Sequence, residues 1–271
     1  MKKIIIGVVL VGVALVSMSS LVFHHQINNE TFSTGKTVKK LSVDDRNMPL
    51  EVVGVSSNYT KIHYSKGRGI KYRIKQTSDS LRLERQKSFG FNFDFFNFGN
   101  NNAKVTIEIP KTDLKELQLE TTNGKILAKN LTLENLDLET TNSKLTVHDV
   151  TAQTIDAETT NGKVDLSQLT FSEGSFETSN SKMDLAHLTF KEGDFQTSNG
   201  KINLLDLKPS DALSLETSNA KVNGTIIGDR EDFSMETKTS NGSNNLGNHT
   251  SGSKELEVRT SNGDIEIVFV D

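Results

Sequence analysis

The sequence predicts an all-β chain: a single-stranded parallel β-solenoid preceded by an N-terminal transmembrane helix. A seven-residue phrase, first seen at residues 120–126 as ETTNGKI, recurs through residues 111–271 with its asparagine every 19–22 residues. Apolar residues occupy fixed columns around that asparagine, and a long uncharged run opens the chain. A fixed period of this size is typical of stacked repeats, because one repeat alone cannot bury its apolar side.

The N-terminal residues 1–23 predict a membrane anchor. Lys2 and Lys3 precede an uncharged run over residues 4–23, which would span about 30 Å as a helix and so cross a bilayer core. The lysines should stay cytoplasmic, which makes the protein single-pass with an extracytoplasmic C-terminal domain. A cleaved signal peptide is the alternative, since Ser17 and Ser19 offer small residues for cleavage. The polar residues 24–40 predict a linker.

Residues 41–110 predict an irregular β section that begins or caps the stack. Short segments such as Leu81/Leu83 and Val105/Ile107 alternate apolar and polar residues, with turn-forming residues between them. A Phe-rich insert at residues 88–102 either covers an open end of the core or forms an exposed contact surface. Its phenylalanines are Phe89, Phe91, Phe93, Phe95, Phe96 and Phe98.

Residues 111–271 predict the solenoid coils, and their polar columns predict ladders. Amides stacked from coil to coil can hydrogen-bond along the rod, and threonine hydroxyls can do the same. Strand alternation places both columns on the inner face, and the glycine that often follows supplies a positive φ for the turn. The asparagines are Asn123, Asn142, Asn161, Asn180, Asn199, Asn219, Asn241 and Asn262, and the threonines two residues earlier include Thr121, Thr140, Thr159, Thr178, Thr197 and Thr217.

The net charge of −4 is unevenly distributed. Residues 36–87 carry 13 basic and 5 acidic side chains, whereas residues 104–271 carry 16 basic and 28 acidic ones. The two sections are either solvated surfaces of opposite sign, or the basic one contacts anionic envelope polymer or lipid headgroups. The acidic repeats and the extracytoplasmic location argue against nucleic-acid binding.

Catalytic and metal-binding chemistry has few candidates. The absence of cysteine excludes disulfides, thiolate metal sites and cysteine nucleophiles. Asp165 and Asp184 fall in one column of adjacent coils, with His148 and His187 nearby, so the carboxylates should lie about 5 Å apart and couple. Other coils carry Leu, Thr or Asn in that column, which is typical of a solvated face, and two carboxylates are too few for a calcium site. We therefore expect no catalytic residues, metal or cofactor.

The last coil ends in an apolar strand over residues 265–271. Such an edge invites pairing with another chain, so self-association through this coil is one expectation. The other is that a loop over residues 241–254 folds across it.

The segment KVTIEIP at residues 104–110, with LQL at 117–119 and the TTNGK repeats, resembles the bacterial "putative adhesin" domain of unknown function. That family includes LiaG-type membrane-anchored proteins of Gram-positive envelope-stress operons, and the resemblance extends over residues 37–271. It implies a solenoid without catalytic residues to carry over. An anchored rod of this kind should have a structural, adhesive or partner-binding role at the envelope, with an envelope protein or an anionic wall polymer as partner. The alternatives are an accessory of a membrane signalling system and a polysaccharide-active β-helix enzyme.

Overall fold

The computed structural model describes residues 28–67, 70–86, 103–111 and 113–271. The predicted transmembrane segment, residues 1–23, and the Phe-rich insert, residues 88–102, lie outside this part of the chain. No helix among the described residues is long and apolar enough to cross a bilayer. Their regular structure is β-strand apart from one 3₁₀ turn, Arg230–Asp232. The all-β prediction is confirmed for this part of the chain.

Nineteen strands are formed by the described residues. They are β1 (Asn28–Thr34), β2 (Lys40–Asp44), β3 (Leu50–Val55), β4 (Thr60–Lys66), β5 (Tyr72–Gln76), β6 (Ser80–Arg85), β7 (Val105–Pro110), β8 (Glu116–Thr121), β9 (Ile126–Thr132), β10 (Asn135–Thr140), β11 (Leu145–Thr151), β12 (Thr154–Thr159), β13 (Val164–Thr178), β14 (Met183–Thr197), β15 (Ile202–Thr217), β16 (Val222–Ile227), β17 (Phe233–Lys238), β18 (Lys254–Thr260) and β19 (Ile265–Val270).

Each repeat contributes one strand before its asparagine and one after it, and equivalent strands pair in parallel. β10 lies in register between β8 and β12, so Leu138 stands opposite Leu119 and Ala157. β11 lies in the same way between β9 and β13. In β13, β14 and β15 the second strand of one repeat continues into the first strand of the next. The repeats therefore form the predicted parallel solenoid.

The hydrophobic core runs along the rod between the two sets of strands. The apolar columns are buried, as Val147 shows with no exposed surface. In the middle coils phenylalanine rings stack: Phe171 on Phe190 with centroids 5.0 Å apart, and Phe176 on Phe195 at 4.8 Å. These distances match the spacing of about 4.8 Å between paired strands, so identical rings stack without any change in the backbone.

The N-terminal section is more regular than the sequence predicts. β2 pairs with β8 and β3 with β9, so β2 and β3 form a coil in register with the first repeat. β6 pairs with β2 and β7 with β3, which adds a further coil outside it. The prediction of an irregular section is wrong for β2, β3, β6 and β7. The β2–β3 coil keeps the apolar spacing but lacks the repeated phrase, and the insert separates β6 from β7 in the chain.

Antiparallel strands close the N-terminal end. β5 pairs with β6, β4 pairs with β7, and β1 pairs with β4. The predicted linker over residues 24–40 is therefore wrong for residues 28–34, which form β1. Phe32 packs against the core and Thr34 is buried, so one face of this mostly polar edge strand points inward.

The C-terminal end is built out of chain order. β18 lies between β15 and β17, and β19 pairs with β16, so the last coil in the sequence sits inside the stack. β17 and residues 241–245 form the outer coil. Met235 and His249 exchange backbone hydrogen bonds of 2.5 and 3.1 Å, which covers the outer edge of β17. Residues 243–245 lie against β19: the Ile265 N–H donates to the Ser243 carbonyl at 2.8 Å, and the Asn245 N–H donates to the Ile265 carbonyl at 3.2 Å. Of the two expectations for the last coil, the structure therefore shows the covering loop. Self-association stays a prediction.

Candidate functional site

The repeated asparagines form one continuous ladder along the rod. Each side-chain Nδ2 donates to the Oδ1 of the asparagine in a neighbouring coil over 2.7–2.9 Å. Asn47 in the β2–β3 coil extends the ladder, and sequence analysis missed it, although Val43, Leu50 and Val52 stand around it at the spacing of the repeats. In spatial order the rungs are Asn47, Asn123, Asn142, Asn161, Asn180, Asn199, Asn219, Asn262 and Asn241.

The asparagine side chains of the repeats are exposed, which corrects the prediction that they point inward. The turn begins one residue before the asparagine, so the alternation of the strand ends too early to bury it. In the repeats other than that of Asn241, the threonine two residues earlier still belongs to the strand and is buried. Thr159 Oγ1 donates to the carbonyl oxygen of Ser143 in the preceding coil at 3.3 Å and accepts the N–H of Gly162 at 3.1 Å. The threonine column therefore satisfies the backbone of the corner instead of neighbouring hydroxyls.

The glycine after the asparagine serves close packing and not a positive φ. The described glycines with positive φ lie elsewhere, at Gly224, Gly228 and Gly247. A Cβ on Gly162 would lie 1.6 Å from the carbonyl oxygen of Ser143, so the corner excludes any side chain there. The left-handed residues of the first five repeats lie seven positions after the asparagine, at Asn130, Asp149, Gln168, His187 and Asp206.

A buried ion pair takes the place of threonine in the β2–β3 coil. The Asp45 side chain has no exposed surface, and it accepts hydrogen bonds from the Tyr72 hydroxyl and, at 3.3 Å, from Arg85. The backbone N–H groups of Asn47 and Met48 donate to it at 2.7 and 2.8 Å. Burial and the Asp45 carboxylate raise the pKa of Tyr72, so its hydroxyl remains a donor. With donors on every side, the carboxylate is stabilised where the threonine column ends.

The candidate carboxylates Asp165 and Asp184 are neutralised by lysines. Lys163 lies between them, with its Nζ 3.0 Å from Asp165 and 2.5 Å from Asp184, and Lys144 and Lys182 add contacts of 2.7 and 2.8 Å. Partial burial acts to raise the pKa of Asp184, but hydrogen bonds from Lys163 and Lys182 outweigh it and hold that pKa at about 2. A carboxylate held ionised in this way is a weak general base near neutral pH.

The nearby histidines bind other groups. His148 Nδ1 lies 2.9 Å from Ser167 Oγ, and His187 Nδ1 lies 3.6 Å from the Asp206 carboxylate. Over the described ranges, no three His, Cys, Asp or Glu side chains are grouped so that they could hold a metal ion. The contacts of the predicted carboxylates and histidines therefore run to separate partners.

The predicted contact surface consists of six phenylalanines of the insert. Phe89, Phe91, Phe93, Phe95, Phe96 and Phe98 all lie outside the described residues. The insert leaves after β6 and returns before β7, in the outer N-terminal coil. Its role as a cap or a contact surface stays a prediction.

The outer side of the strands that precede each asparagine is strongly acidic, and we call it the acidic face. Side chains three, five and seven residues before the asparagine alternate with buried ones, as the burial pattern of β10 shows. Arg259 is the basic side chain at these positions in β8, β10, β12–β15 and β18, and it contacts Glu257 at 2.5 Å and Glu236 at 3.0 Å. The carboxylates of the acidic face are Glu116, Glu120, Asp137, Glu139, Asp156, Glu158, Glu173, Glu177, Glu192, Asp194, Glu216, Glu255 and Glu257.

Repulsion between carboxylates is evident on this face. Glu139 stands in register between Glu120 and Glu158. Partial burial, followed by these two neighbours, raises the pKa of Glu139. Partial burial and Asp156 raise the pKa of Asp137 in the same way. The lysines of the repeats do not relieve this, because Lys144, Lys163 and Lys182 pair with Asp165 and Asp184 on the other side of the corner.

A shallow groove of about 550 Å³ crosses the acidic face. Its walls include Glu173, Glu192, Asp194, Glu255 and Glu257. An extended cationic segment could lie in this groove with its charges directly over the carboxylates.

The same side of the rod is basic at the N-terminal end. Lys75 on β5 stands opposite Arg82 on β6, with Arg73 beside them. Glu84 contacts Lys75 at 3.4 Å and Arg82 at 2.6 Å. Lys40 on β2 then meets the first glutamate of the acidic face at 2.8 Å. The charge therefore changes sign along one surface.

Comparison with known proteins identifies a domain family. The sequence profile of the Toastrack DUF4097 domain matches residues 38–268. No curated protein matches the chain.

Three solved structures are similar to this chain at 10–14% identity. A putative adhesin from Bacteroides fragilis has a TM-score of 0.54 and 14% identity, covering 89% of this chain and 97% of that one. A putative adhesin from Parabacteroides merdae has a TM-score of 0.43 and 10% identity, covering 90% and 96%. A putative cell adhesion protein from Clostridium sporogenes has a TM-score of 0.28 and 13% identity, covering 90% and 100%. The likeness to the Bacteroides protein supports the fold.

Proposed function

We propose that this chain, which belongs to the Toastrack DUF4097 family, is a membrane-anchored extracytoplasmic rod that binds a cationic partner protein at the cell envelope and has no enzymatic activity. The observation that carries the proposal is the acidic face. The Bacteroides protein of the same fold is described as a putative adhesin, which supports a structural or adhesive role.

The physical argument is the contrast between two charged surfaces. Asp165 and Asp184 are matched by three lysines, so their charges are balanced within the rod. The carboxylates of the acidic face stand in register about 4.8 Å apart with few cations beside them. Their mutual repulsion destabilises the folded state. Local features that oppose stability are expected at functional sites, and a cationic partner would relieve this one.

The sign of the charge selects between the expected partners. The acidic face repels an anionic wall polymer, so the polymer is disfavoured there and a basic envelope protein is favoured. In the envelope-stress setting that the LiaG-type resemblance implies, the rod would act as an accessory that holds such a protein close to the membrane.

The test is recovery of partners from envelope membranes by the full-length chain after mild cross-linking. One variant neutralises the groove with Glu173→Gln, Glu192→Gln, Glu255→Gln and Glu257→Gln. We expect it to lose a protein that the wild type recovers, because these carboxylates lie in the proposed contact.

A matched control removes four exposed negative charges elsewhere, with Asp149→Asn, Asp211→Asn, Asp229→Asn and Glu231→Gln. It should recover the partner as the wild type does. Equal recovery by the groove variant, or loss by both variants, contradicts binding through the acidic face. Hydrolysis of wall glycans by the wild type that disappears in Asp165→Ala/Asp184→Ala would contradict the non-enzymatic part.

A further inference from the structure

We infer that the N-terminal end of the rod docks on the anionic lipid headgroups of the bilayer from which the chain emerges, an inference that rests on the membrane anchor of the proposed function. The surface concerned lies on and around β4 and β5 and in the loop before β2. We call it the basic cap. Its exposed cations are Lys36, Lys39, Lys66, Lys71, Arg73 and Lys75.

The point where the chain enters the rod lies beside these cations. Asn28 begins β1 and stands opposite Lys66 on β4. β4 is the strand that β1 pairs with, so the chain enters on the outermost strand of this end. The apolar run ends at Phe23, so only residues 24–27 separate the proposed anchor from β1 in the sequence.

The reach of the intervening chain keeps the cap close to the headgroups. Five residue steps separate Phe23 from Asn28, which is at most about 17 Å of extended chain. The headgroup layer itself is about 5–8 Å thick on each side of the hydrocarbon core. The remaining gap is about one Debye length, roughly 8 Å at physiological salt, so the cations of the cap still experience the surface potential.

The cations of the cap are only partly balanced within the protein. Lys66 contacts Glu30 at 2.8 Å, and Lys75 contacts Glu84 at 3.4 Å. In the part of the chain that the structure describes, Lys36, Lys39, Lys71 and Arg73 have no ion pair. The rod therefore has unpaired cations at its N-terminal end and carboxylates farther along. This charge distribution favours contact between the N-terminal end and an anionic surface.

A free anionic polymer could neutralise the same cations. The bilayer is favoured as the occupant because the anchor tethers it to the cap, so docking is an intramolecular event at high effective concentration. A wall polymer has no such tether to this end of the rod.

The experiment uses the full-length chain reconstituted in vesicles of phosphatidylcholine alone or with about one third phosphatidylglycerol. The chain has no cysteine, so Thr77→Cys in the exposed turn between β5 and β6 accepts a single fluorophore. Lipids with a nitroxide on the headgroup quench it on contact. We expect quenching to be at least about three-fold greater in anionic than in neutral vesicles at low salt, and this difference to vanish near 1 M salt.

Two triple variants test which charges are responsible. Lys71→Gln/Arg73→Gln/Lys75→Gln should abolish the response to anionic lipid. Lys191→Gln/Lys201→Gln/Lys208→Gln removes three exposed lysines far from the cap and should retain it. A fluorophore on Ser251→Cys, at the opposite end, should not be quenched in either lipid.

Equal quenching in both lipids, or equal loss in both triple variants, overturns the inference. Loss of the response when soluble polyphosphate is added at the same phosphate concentration would assign the cap to a polymer instead of lipid. Failure of the anchor is recognised separately, because an alkaline wash would then release the chain from neutral vesicles. In that case cap docking would still show as binding to anionic vesicles that high salt reverses.

Discussion

Replacing Thr159 by valine should destabilise the rod by about 2–4 kcal/mol, because one hydroxyl satisfies two backbone groups of the corner. Its Oγ1 donates to the Ser143 carbonyl and accepts from the Gly162 N–H, at 3.3 and 3.1 Å. Valine has nearly the same size, so little cavity forms, and the loss is that of leaving both groups unpaired. A buried unpaired group costs about 1–3 kcal/mol.

Two companion variants separate the hydroxyl from packing. Thr159→Ser keeps both hydrogen bonds and loses one methyl group, which should cost about 1 kcal/mol. Thr178 donates to the Gly162 carbonyl at 2.9 Å, and its coil has serine instead of glycine after the asparagine. Thr178→Val should therefore cost about half as much as Thr159→Val.

The assay is urea unfolding followed by far-UV circular dichroism, with amide hydrogen exchange at Gly162 as a local probe. The local probe is needed because stacked repeats can open near the mutation without unfolding completely. Equal stability of Thr159→Val and Thr159→Ser, with unchanged exchange at Gly162, would refute the proposed role of the hydroxyl.

Three further changes probe the corner and the two charged surfaces. Gly162→Ala should lower the free energy of unfolding in urea by more than about 3 kcal/mol, because its Cβ would overlap the neighbouring carbonyl. Ser143→Ala should lower it by less than about 1 kcal/mol. Similar losses for the two variants would contradict this reasoning. The folded-state pKa of Asp184 is depressed to about 2, so its stabilisation is present above about pH 4 and lost as the pH falls towards 2. Asp184→Asn should therefore reduce the acid sensitivity of Tm, and an unchanged pH profile would count against it. The pKa of Glu139 is raised instead, so its ionisation opposes folding at neutral pH and protonation relieves it. Glu139→Gln should raise Tm at pH 7 but not at pH 3, and a pH-independent gain would point to another cause.

The repeat columns were sufficient to predict the solenoid. Stacking gives every coil nearly the same environment, so a column that is apolar in one coil is apolar in the next, and the period alone reveals the fold. The pairing of each asparagine with the asparagine of a neighbouring coil is predictable for the same reason. The orientation of the asparagines did not follow, because it depends on where the turn begins, and a shift of one residue reverses the side of a strand.

The arrangement of the ends could not be read from the repeats. Asn47 and Asn123 are neighbours in the ladder, but the antiparallel cap strands and the insert separate them in the chain. At the other end, the Asn241 and Asn262 coils carry similar phrases, so only packing decides which is the outer one.

The acidic face required knowledge of ion pairs as well as of columns. Glutamate recurs three residues before the asparagine and lysine two residues after it, but this spacing does not define which charges pair. The structure shows Lys163 bound to Asp165 and Asp184 instead. Among the described residues, that choice leaves Glu120, Glu139 and Glu158 without an ion pair. It depends on side-chain geometry across the corner.

The out-of-order coils constrain how such a rod is made and how it can change in length. β17 pairs with β18, which is synthesised after it. A growing chain that ends at Ser253 therefore lacks the strand against which β17 packs. Folding that proceeds from the first residue to the last cannot finish until the final strands insert between earlier ones. Gain or loss of whole coils by duplication or deletion is consequently compatible with the regular middle of the stack, while both ends must be inherited as complete units.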